Sequence, residues 1–306
     1  MKIGDPIRPG PDRSKIGDVK IETFDKSWFE DSKTLKNIVG KHAAGQVTII
    51  GGSKLFHGAP LLALRGAARI AGMVYFSTPD EDKEVADKIK TGLSSFVWVP
   101  YEEAGNYIAK SDAVLIGPGM MRSHIKEQNF VCDREGEATR RRCQDLFDKH
   151  ADRKWVIDGG ALQVVSVEKM PRGAVVTPND KEFEMMFGQK IEEEIEKRGE
   201  QILSLAKKYH LVILTKDKIS IVSDGERVVK ILGGNDGLVK GGIGDTIAGV
   251  LAGFLAKDEP IFAAAAASYL VKGAAEKLAE RQGYMFNADD VVNMVPEIYG
   301  EAVNNL

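Results

Sequence analysis

The chain has 306 residues, 43% of them apolar and 28% charged, which is the composition of an ordinary soluble globular protein with enough length for a large core. Its 42 basic and 45 acidic side chains nearly cancel, and a net charge of −3 excludes the long-range field expected of a protein that binds nucleic acid or anionic membranes. Cys132 and Cys143 form neither a zinc-site spacing nor a disulfide framework, and residues 1–20 lack a signal-peptide pattern, so a cytoplasmic location is expected.

Short β-branched segments alternate with amphipathic segments of helical length from residue 46 onward. This alternation is typical of βαβ units, so the sequence predicts an α/β fold in which helices cover both faces of a mostly parallel sheet. The predicted strands are residues 46–50, 73–77, 96–99, 113–116, 155–158, 174–177, 211–215, 219–223 and 227–231. The last two flank an Asp-Gly-Glu turn at 224–226, which predicts an antiparallel hairpin at one edge of the sheet.

Helices are predicted between these strands and after them. Their residues are 60–71, 81–90, 135–149, 191–209, 242–256 and 260–280. The connections are short and no polar linker divides the chain, so residues 31–306 are expected to form one domain. Residues 1–30 are expected to form an N-terminal arm.

The strongest chemical signal is a glycine-rich segment at residues 233–246, directly before an apolar helical segment. Glycine lets the backbone approach a ligand closely, and unpaired N–H groups at a helix start bind anions. Gly242, Ile243 and Gly244 are therefore predicted to form a phosphate pocket. Asp245 would repel phosphate, and it is better explained as a general base that takes the proton from an attacking hydroxyl. The alternative is that Asp245 only caps the helix.

A second glycine-containing segment, residues 51–60, follows the first predicted strand of the sheet and leads into a helix. Gly58 and Ala59 leave room for a flat ring or a ribose against the backbone, and Pro60 suits the first turn of a helix. The same residues are equally compatible with a plain strand-to-helix turn. Both interpretations stay open.

Residues 177–182, Thr-Pro-Asn-Asp-Lys-Glu, end another predicted strand. The Asn179 amide and the Glu182 carboxylate could hold a hydrated Mg²⁺ near phosphates, with Glu182 as the metal ligand. The same pair is typical of a capping box, in which Glu182 supports the helix cap Asn179. Lys216, after the strand at 211–215, could neutralise a nucleotide phosphate, although lysines at strand ends are commonly just solvated.

The Gly-Gly-Ile-Gly-Asp segment at residues 241–245 resembles the GxGD signature of the ribokinase-like superfamily, whose aspartate is the catalytic base. Other motifs are similar, in order along the chain, to those of the ADP-dependent NAD(P)H-hydrate dehydratases. They are Lys-His-Ala-Ala-Gly at 41–45, residues 47–53, His-Gly-Ala-Pro at 57–60, Ile-Gly-Pro-Gly at 116–119, Asn-Asp-Gly at 235–237, and residues 288–292 with 295–296. The resemblance covers roughly residues 40–297.

This resemblance implies a ribokinase-like fold without a separate lid domain, and a lyase that restores hydrated NADH or NADPH. ADP, or ATP, would donate a phosphoryl group with Mg²⁺, and AMP and phosphate would leave when ADP is the donor. It also implies a homo-oligomer, commonly a tetramer. By position, the residues implied to bind the hydrate are Ala59, Gly119, Asn179 and Asp245. Those implied to bind the nucleotide are Lys216, Asp217, Lys218, Ile219, Ser220 and Gly244.

Four segments depart from the family pattern, and one of them is Met120-Met121, which follows Gly-Pro-Gly where the family has a glycine. Residues 179–182 lack the usual His-Pro-Gly-Glu and are closer to the Asn-x-x-Glu of sugar kinases. Residues 216–220 read Lys-Asp-Lys-Ile-Ser, without the glycine of the family's Lys-Gly-x-x-Thr. Asp158 is followed by two glycines, whereas the family has Asp-Ala-Asp with a second carboxylate. Two other functions therefore stay open: a ribokinase-like kinase for a sugar or vitamin precursor, and a nucleotide-binding protein without turnover.

Overall fold

A computed structural model describes residues 20–34, 36, 39–79, 83–122 and 133–304. Within these ranges the strands are β1 (Ile21–Thr23), β2 (Gln46–Ile50), β3 (Met73–Ser77), β4 (Val97–Trp98), β5 (Ala113–Ile116), β6 (Lys154–Ile157), β7 (Val175–Val176), β8 (Val212–Leu214), β9 (Ser220–Ser223) and β10 (Val228–Ile231). Every predicted strand forms, and most of them are shorter than predicted. The sequence pattern does not predict β1, because three residues carry too little periodicity to identify a strand.

The described strands form one sheet in the order β1-β10-β9-β8-β7-β6-β5-β2-β3-β4. Of these strands, only β9 runs antiparallel to its neighbours. The predicted hairpin is confirmed, since β9 and β10 pair across the turn at 224–226. Its predicted place at the sheet edge is wrong. β1 pairs in parallel with β10 and satisfies backbone groups that an edge strand would leave open.

The helices of the described residues are α1 (Gly58–Ala68), α2 (Lys83–Gly92), α3 (Ala104–Ile108), α4 (Arg134–Lys149), α5 (Gly160–Val164), α6 (Asp180–Phe187), α7 (Ile195–Tyr209), α8 (Ile243–Leu255), α9 (Pro260–Gln282) and α10 (Ala288–Val303). Each predicted helix is confirmed with shifted ends, and residues 81–82 of the second one lie outside the described residues. None of the described helices combines the length and the apolar character that crossing a bilayer needs.

Helices cover both faces of the sheet, as predicted. On β5, Leu115 packs in a core that contains α1, α8, α9 and α10, whereas Val114 and Ile116 pack in a second core with α4, α5, α6 and α7. Successive strand residues point to opposite faces, so a strand covered on both sides must be apolar at every position. This explains the continuous apolar segments in the sequence.

The described part of the expected N-terminal arm, residues 20–30, packs against the domain. Phe24 and Phe29 are only 3% and 1% exposed and lie in the core formed with α9 and α10. Ser32 and Lys33 follow these residues in the chain. Ser32 Oγ and the Lys33 N–H donate hydrogen bonds to the buried Asp258 carboxylate, at 3.1 Å and 2.6 Å. The domain core therefore includes side chains from before residue 31, while residues 1–19 lie outside the described residues.

Two glycines allow α1 and α8 to lie in close contact. A Cβ on Gly249 would lie 2.1 Å from the carbonyl oxygen of Ala63, and a Cβ on Gly66 would lie 2.9 Å from the backbone nitrogen of Val250. Real Cβ atoms do not approach backbone atoms so closely, so any larger residue would push the helices apart. The contact holds the start of α8, where Asp245 lies, in place relative to α1.

The substitution Gly249→Ala is expected to lower the free energy of unfolding by about 2 kcal/mol, because the added methyl group meets backbone that cannot rotate away. Urea unfolding of the purified protein measures this change. Gly300→Ala on α10 is the matched control, since the nearest atom to its Cβ would be Asn304 Nδ2 at 3.8 Å. Alanine there should be neutral or stabilising by helix propensity. Equal effects of the two substitutions would contradict the expectation.

Candidate active site

Three polar side chains meet where neighbouring parallel strands end. Asp158 follows β6, Thr177 follows β7 and Lys216 lies just after β8. Asp158 is a buried residue, and its Oδ1 accepts hydrogen bonds from Thr177 Oγ1 at 2.6 Å and from Lys216 Nζ at 2.8 Å. A buried charge is costly without a partner. The Asp158 carboxylate therefore fixes the Lys216 ammonium near the carboxyl ends of strands β6, β7 and β8.

The start of α8 lies beside this ammonium. Gly242 caps the helix with a φ of 92°, a left-handed conformation that favours glycine. The Thr246 N–H is bonded to the Gly242 carbonyl, so the N–H groups before Thr246 have no acceptor within the helix. Ile243 N–H makes a long bond of 3.5 Å to the Lys240 carbonyl, and a Cβ on Gly244 would lie 3.1 Å from Lys216 Nζ. Helix amides and an ammonium thus face the same space, which suits an anion.

Asp245 lies in the first turn of α8 and is half-buried. The cap of this helix is Gly242, so the alternative that Asp245 only caps the helix is wrong. Burial, followed by the nearby Asp158 carboxylate, raises the pKa of Asp245 to about 7, against the lowering effect of the Lys216 ammonium. A carboxylate with a pKa near neutral is suited to take a proton from a hydroxyl at physiological pH.

Glu182 and Asn179 form the capping box of α6, as one of the two interpretations predicted. Asn179 Oδ1 accepts the Glu182 N–H and Glu182 Oε2 accepts the Asn179 N–H, both at 3.0 Å. Gln163 Nε2 donates to the other Glu182 oxygen, also at 3.0 Å. Burial raises the pKa of Glu182, Lys216 opposes this, and Asp158 adds to it.

Both carboxylate oxygens of Glu182 are therefore engaged, which leaves little capacity for direct coordination of a metal ion. No group of three or more acidic, histidine or cysteine side chains suited to a metal occurs among the residues that the structure describes. Mg²⁺ commonly keeps several waters and binds through nucleotide phosphates. The residues present do not fit a Mg²⁺ ion caged by the protein, and they are compatible with one that arrives with a nucleotide.

The two other residues implied to bind the hydrate lie at a contact between two loops. Gly119 has a φ of 70°, and a Cβ there would lie 2.8 Å from both the Phe56 carbonyl oxygen and Pro60 Cδ. Ala59 is half-buried in the first turn of α1, directly before Pro60. The fold thus brings Ala59 and Gly119, which are distant in sequence, to the same strand-end edge of the sheet.

The segment of residues 216–220 presents its side chains in different directions. Lys216 points to Asp158, while Asp217 Oδ2 accepts a 2.7 Å hydrogen bond from the buried guanidinium of Arg198. Lys218 is exposed and lies 3.1 Å from Asp236 in an ion pair. Of the side chains of Lys216, Asp217 and Lys218, only that of Lys216 is directed at the start of α8.

At the other end of this segment, Ile219 is half-buried and Ser220 is buried as the first residue of β9. Ser220 Oγ lies 3.1 Å from Ser268 Oγ of α9. The carbonyl oxygen of Ile219 also accepts a hydrogen bond from Arg198 Nη1, at 3.4 Å. Side-chain binding of a ligand by Ser220 would require it to leave this contact, so the segment offers mainly its backbone.

Lys216, Gly244 and Asp245, all three predicted from the sequence as site residues, lie together around Asp158. Asp158 has a recognisable signal, because it ends an apolar strand and precedes two glycines. Arg198 and Lys272 donate hydrogen bonds to the segment at 216–220. Neither has a recognisable sequence signal, because each is only a charged residue in a helical segment. Their role depends on contacts between elements distant in sequence.

Residues 47–297 match the model of a protein family described as NAD(P)H-hydrate dehydratase. This match covers most of the chain. The chain belongs to the NAD(P)H-hydrate dehydratase family. The resemblance found in its motifs, including the Gly-Gly-Ile-Gly-Asp segment that contains Asp245, is thereby confirmed.

Curated relatives include proteins that this chain covers almost completely and proteins that it covers only by about half. The bifunctional NAD(P)H-hydrate repair enzyme Nnr of Hyperthermus butylicus is 30% identical over 309 residues, which cover 94% of this chain and 52% of the relative. The ADP-dependent (S)-NAD(P)H-hydrate dehydratase of Cenarchaeum symbiosum is 28% identical over 297 residues, which cover 92% of this chain and 96% of the relative. The chain thus spans about half the length of the bifunctional relative and nearly all of the second.

Solved structures confirm the fold. A ribokinase-like superfamily protein from Enterococcus faecalis superposes with a TM-score of 0.77 at 22% identity, covering 92% of this chain and 96% of that one. The ADP/ATP-dependent NAD(P)H-hydrate dehydratase from Bacillus subtilis, co-crystallised with ATP and Mg²⁺, gives a TM-score of 0.75 at 22% identity, covering 92% and 99%. The fold of this chain is therefore ribokinase-like, as predicted.

Proposed function

We propose that this chain dehydrates hydrated NADH and NADPH in a reaction driven by an adenine nucleotide, and that ADP is the phosphoryl donor. Family membership and the ADP-dependent dehydratase relatives support the reaction. The observation that carries the proposal is the position of Asp245. It lies in the first turn of α8, beside helix amides without helix acceptors and the Lys216 ammonium, with a pKa raised to about 7 by burial and by Asp158.

In the proposed reaction, Asp245 accepts the proton of the ring hydroxyl of the hydrate. The hydroxyl oxygen then bonds to the terminal phosphorus of ADP, and the phosphoanhydride bond breaks to release AMP. Next the ring carbon–oxygen bond breaks, inorganic phosphate leaves, and a neighbouring ring carbon loses a proton to restore the double bond. The sum is hydrated NADH and ADP giving NADH, AMP and phosphate, so the phosphate carries away the oxygen of the eliminated water.

The start of α8 and Lys216 would stabilise the transferred phosphoryl group. Gly242 and Gly244 would direct N–H groups at the negative charge that develops on its oxygens, and Ile243 N–H would join them by leaving its long bond to the Lys240 carbonyl. The helix dipole favours an anion at the same place, and the Lys216 ammonium adds a full charge. Gly244 suits this role because a side chain there would meet Lys216 Nζ at 3.1 Å.

The hydrate would bind on the other side of Asp245, against Ala59, Gly119 and Asn179. Gly119 and the first turn of α1 expose backbone that a flat ring can approach closely. Asn179 is exposed at the start of α6, and its side chain would have to share its capping contact with a ligand. The adenylate would lie along residues 216–220 and Gly244.

Mg²⁺ would enter as part of the nucleotide substrate. Because both Glu182 oxygens already accept hydrogen bonds, Glu182 would contact this ion through its water shell. The homo-oligomer, commonly a tetramer, that the sequence resemblance implies stays a prediction, and sedimentation of the purified chain measures it.

A direct assay tests the proposed function. Purified protein is incubated with hydrated NADH, Mg²⁺ and either ADP or ATP, and the return of the near-ultraviolet absorbance of NADH is followed. We expect recovery with release of one AMP for each NADH when ADP is the donor. Nucleotide consumption with a panel of small alcohols but no NADH recovery would instead support a kinase. Nucleotide-dependent stabilisation without any turnover would support a binding protein.

A further inference from the structure

A stripe of polar side chains on α9 lies behind the proposed nucleotide site. This helix is rich in buried alanine, with Ala263 to Ala267 all at 0% exposure. Ser268, Lys272 and Glu276 interrupt the apolar surface at intervals of four residues, so they lie on one side of the helix. All three make hydrogen bonds either to the segment at 216–220 or to the glycine-rich segment that begins at Gly233.

Lys272 makes the central contacts. Its side chain is buried, with the residue only 4% exposed, and its Nζ donates to the carbonyl oxygens of Asp217 at 3.0 Å and Gly233 at 3.1 Å. A third bond joins the same ammonium to the Lys218 carbonyl. One cation therefore connects the segment at 216–220 with the glycine-rich segment that begins at Gly233.

The neighbours of Lys272 on the stripe extend this connection. Ser268 Oγ lies 3.1 Å from Ser220 Oγ, at the end of the segment at 216–220. Glu276 Oε1 accepts the Gly234 N–H at 2.8 Å. Gly234 itself has a φ of 84°, and a Cβ there would lie 3.1 Å from Lys272 Cγ, so the glycine segment is packed directly against the lysine stem.

A lysine at this position is not explained by core packing. An ammonium removed from water is costly, and alanine fills the neighbouring core positions of the same helix. Burial lowers the pKa of Lys272 to about 8, while the carboxylates of Asp217 and Glu276 oppose this change. The three carbonyl bonds offset the burial cost only while both connected segments stay in their present positions.

We propose that Lys272 is a positioning residue for the adenine nucleotide, which holds the backbone of residues 216–220 and the Gly233 turn in the arrangement that accepts ADP. The inference rests on the proposed function in one respect, that these segments bind the nucleotide. Lys272 would not touch the nucleotide. It would raise the fraction of molecules in which the site is already formed, and apparent affinity scales with that fraction.

The test compares the purified full chain with its K272M and K277M variants. Methionine keeps the stem of Lys272 and removes the ammonium. Lys277 lies one residue beyond the stripe and pairs with Glu301 at 2.8 Å, so K277M removes a lysine of the same helix outside the connection. The dissociation constant for ADP is measured by calorimetry in the presence of Mg²⁺, and the kcat and KM values are measured with hydrated NADH.

We expect K272M to weaken ADP binding by about 10-fold or more, with kcat at saturating ADP lowered less than about 3-fold and KM for hydrated NADH unchanged. K277M should leave all three values near those of the wild type. An unchanged dissociation constant for ADP in folded K272M would overturn the inference, as would an effect confined to kcat or to the hydrate KM.

If K272M does not fold, K272Q provides the decision, because the glutamine amide has no charge and one donor fewer than the ammonium, so it cannot reproduce all three carbonyl bonds. We expect K272Q to weaken ADP binding by about 3-fold or more, on the scale of one lost hydrogen bond, and an unchanged dissociation constant would overturn the inference. A wild type that binds ADP without restoring NADH would contradict the proposed function alone. The role of Lys272 would still be tested by comparing the dissociation constants for ADP of the wild type and K272M. A wild type that binds no adenine nucleotide would contradict both.

Discussion

Replacing Asp245 with asparagine is expected to lower the turnover of hydrated NADH by about 10²-fold or more, the scale of a lost general base. The amide has nearly the same shape and cannot accept the proton of the attacking hydroxyl. ADP affinity should change little, because the helix amides and Lys216 remain in place. Stopped assays with saturating ADP, together with calorimetry of ADP binding, measure the two effects separately.

The pH dependence should change with the same substitution. Since burial and Asp158 raise the pKa of Asp245 to about 7, the wild-type kcat/KM for the hydrate is expected to rise as the pH increases through about 7. Residual activity of Asp245→Asn should lack this rise. Asp289, in the first turn of α10, is an exposed aspartate at a helix start, so Asp289→Asn is the control and should retain both turnover and pH profile.

Stability should move in the opposite direction to activity. The native pKa of Asp245 lies above that of an unfolded chain, so ionisation between about pH 4 and pH 7 costs native stability, and the full cost is present above pH 7. Asp245→Asn removes this cost, and its Tm is expected to exceed that of the wild type most clearly above pH 7. Undiminished turnover, or a Tm below the wild-type value at high pH, would contradict the assignment of Asp245.

Replacing Lys216 with methionine is expected to lower the free energy of unfolding by about 3 kcal/mol near pH 8, the scale of a broken buried ion pair. Its ammonium is 2.8 Å from Asp158, whose side chain is 3% exposed, and the carboxylates of Glu182 and Asp245 also act on it. Burial lowers the pKa of Lys216, but these three carboxylates outweigh burial and raise it. Without the ammonium, the carboxylates would repel one another with no compensating charge.

The pH dependence and a second substitution identify the cause. The pKa values of Glu182 and Asp245 are already raised, so protonation at lower pH relieves the repulsion, and the loss of stability should shrink toward about pH 5. The double variant Asp158→Asn with Lys216→Met should be more stable than Lys216→Met alone. Chemical unfolding of the four proteins of this cycle measures the coupling. A loss independent of pH and of Asp158 would show that Lys216 contributes only through packing.

The order of strands and helices was largely readable from the sequence, because hydrophobic periodicity reports each element locally. Apolar strands such as β5 and the capping box at Asn179 depend on residues a few positions apart. β5 is confirmed, and the capping box is confirmed as one of the two interpretations that the sequence left open. The hairpin was predictable for the same reason. Its place inside the sheet was not, since β1 pairs with a strand some two hundred positions away in the chain.

By itself, the sequence determined the α/β fold, its family through motifs along residues 40–297, and Asp245 as the candidate base. These features rest on local backbone requirements, above all the glycines that precede α8. Only the tertiary structure decided that Asp158 holds Lys216 beside Gly244 and that Lys272 connects two segments near the same site. Such contacts join residues tens of positions apart, and the order of strands in the sheet, which no local pattern contains, determines which of them meet.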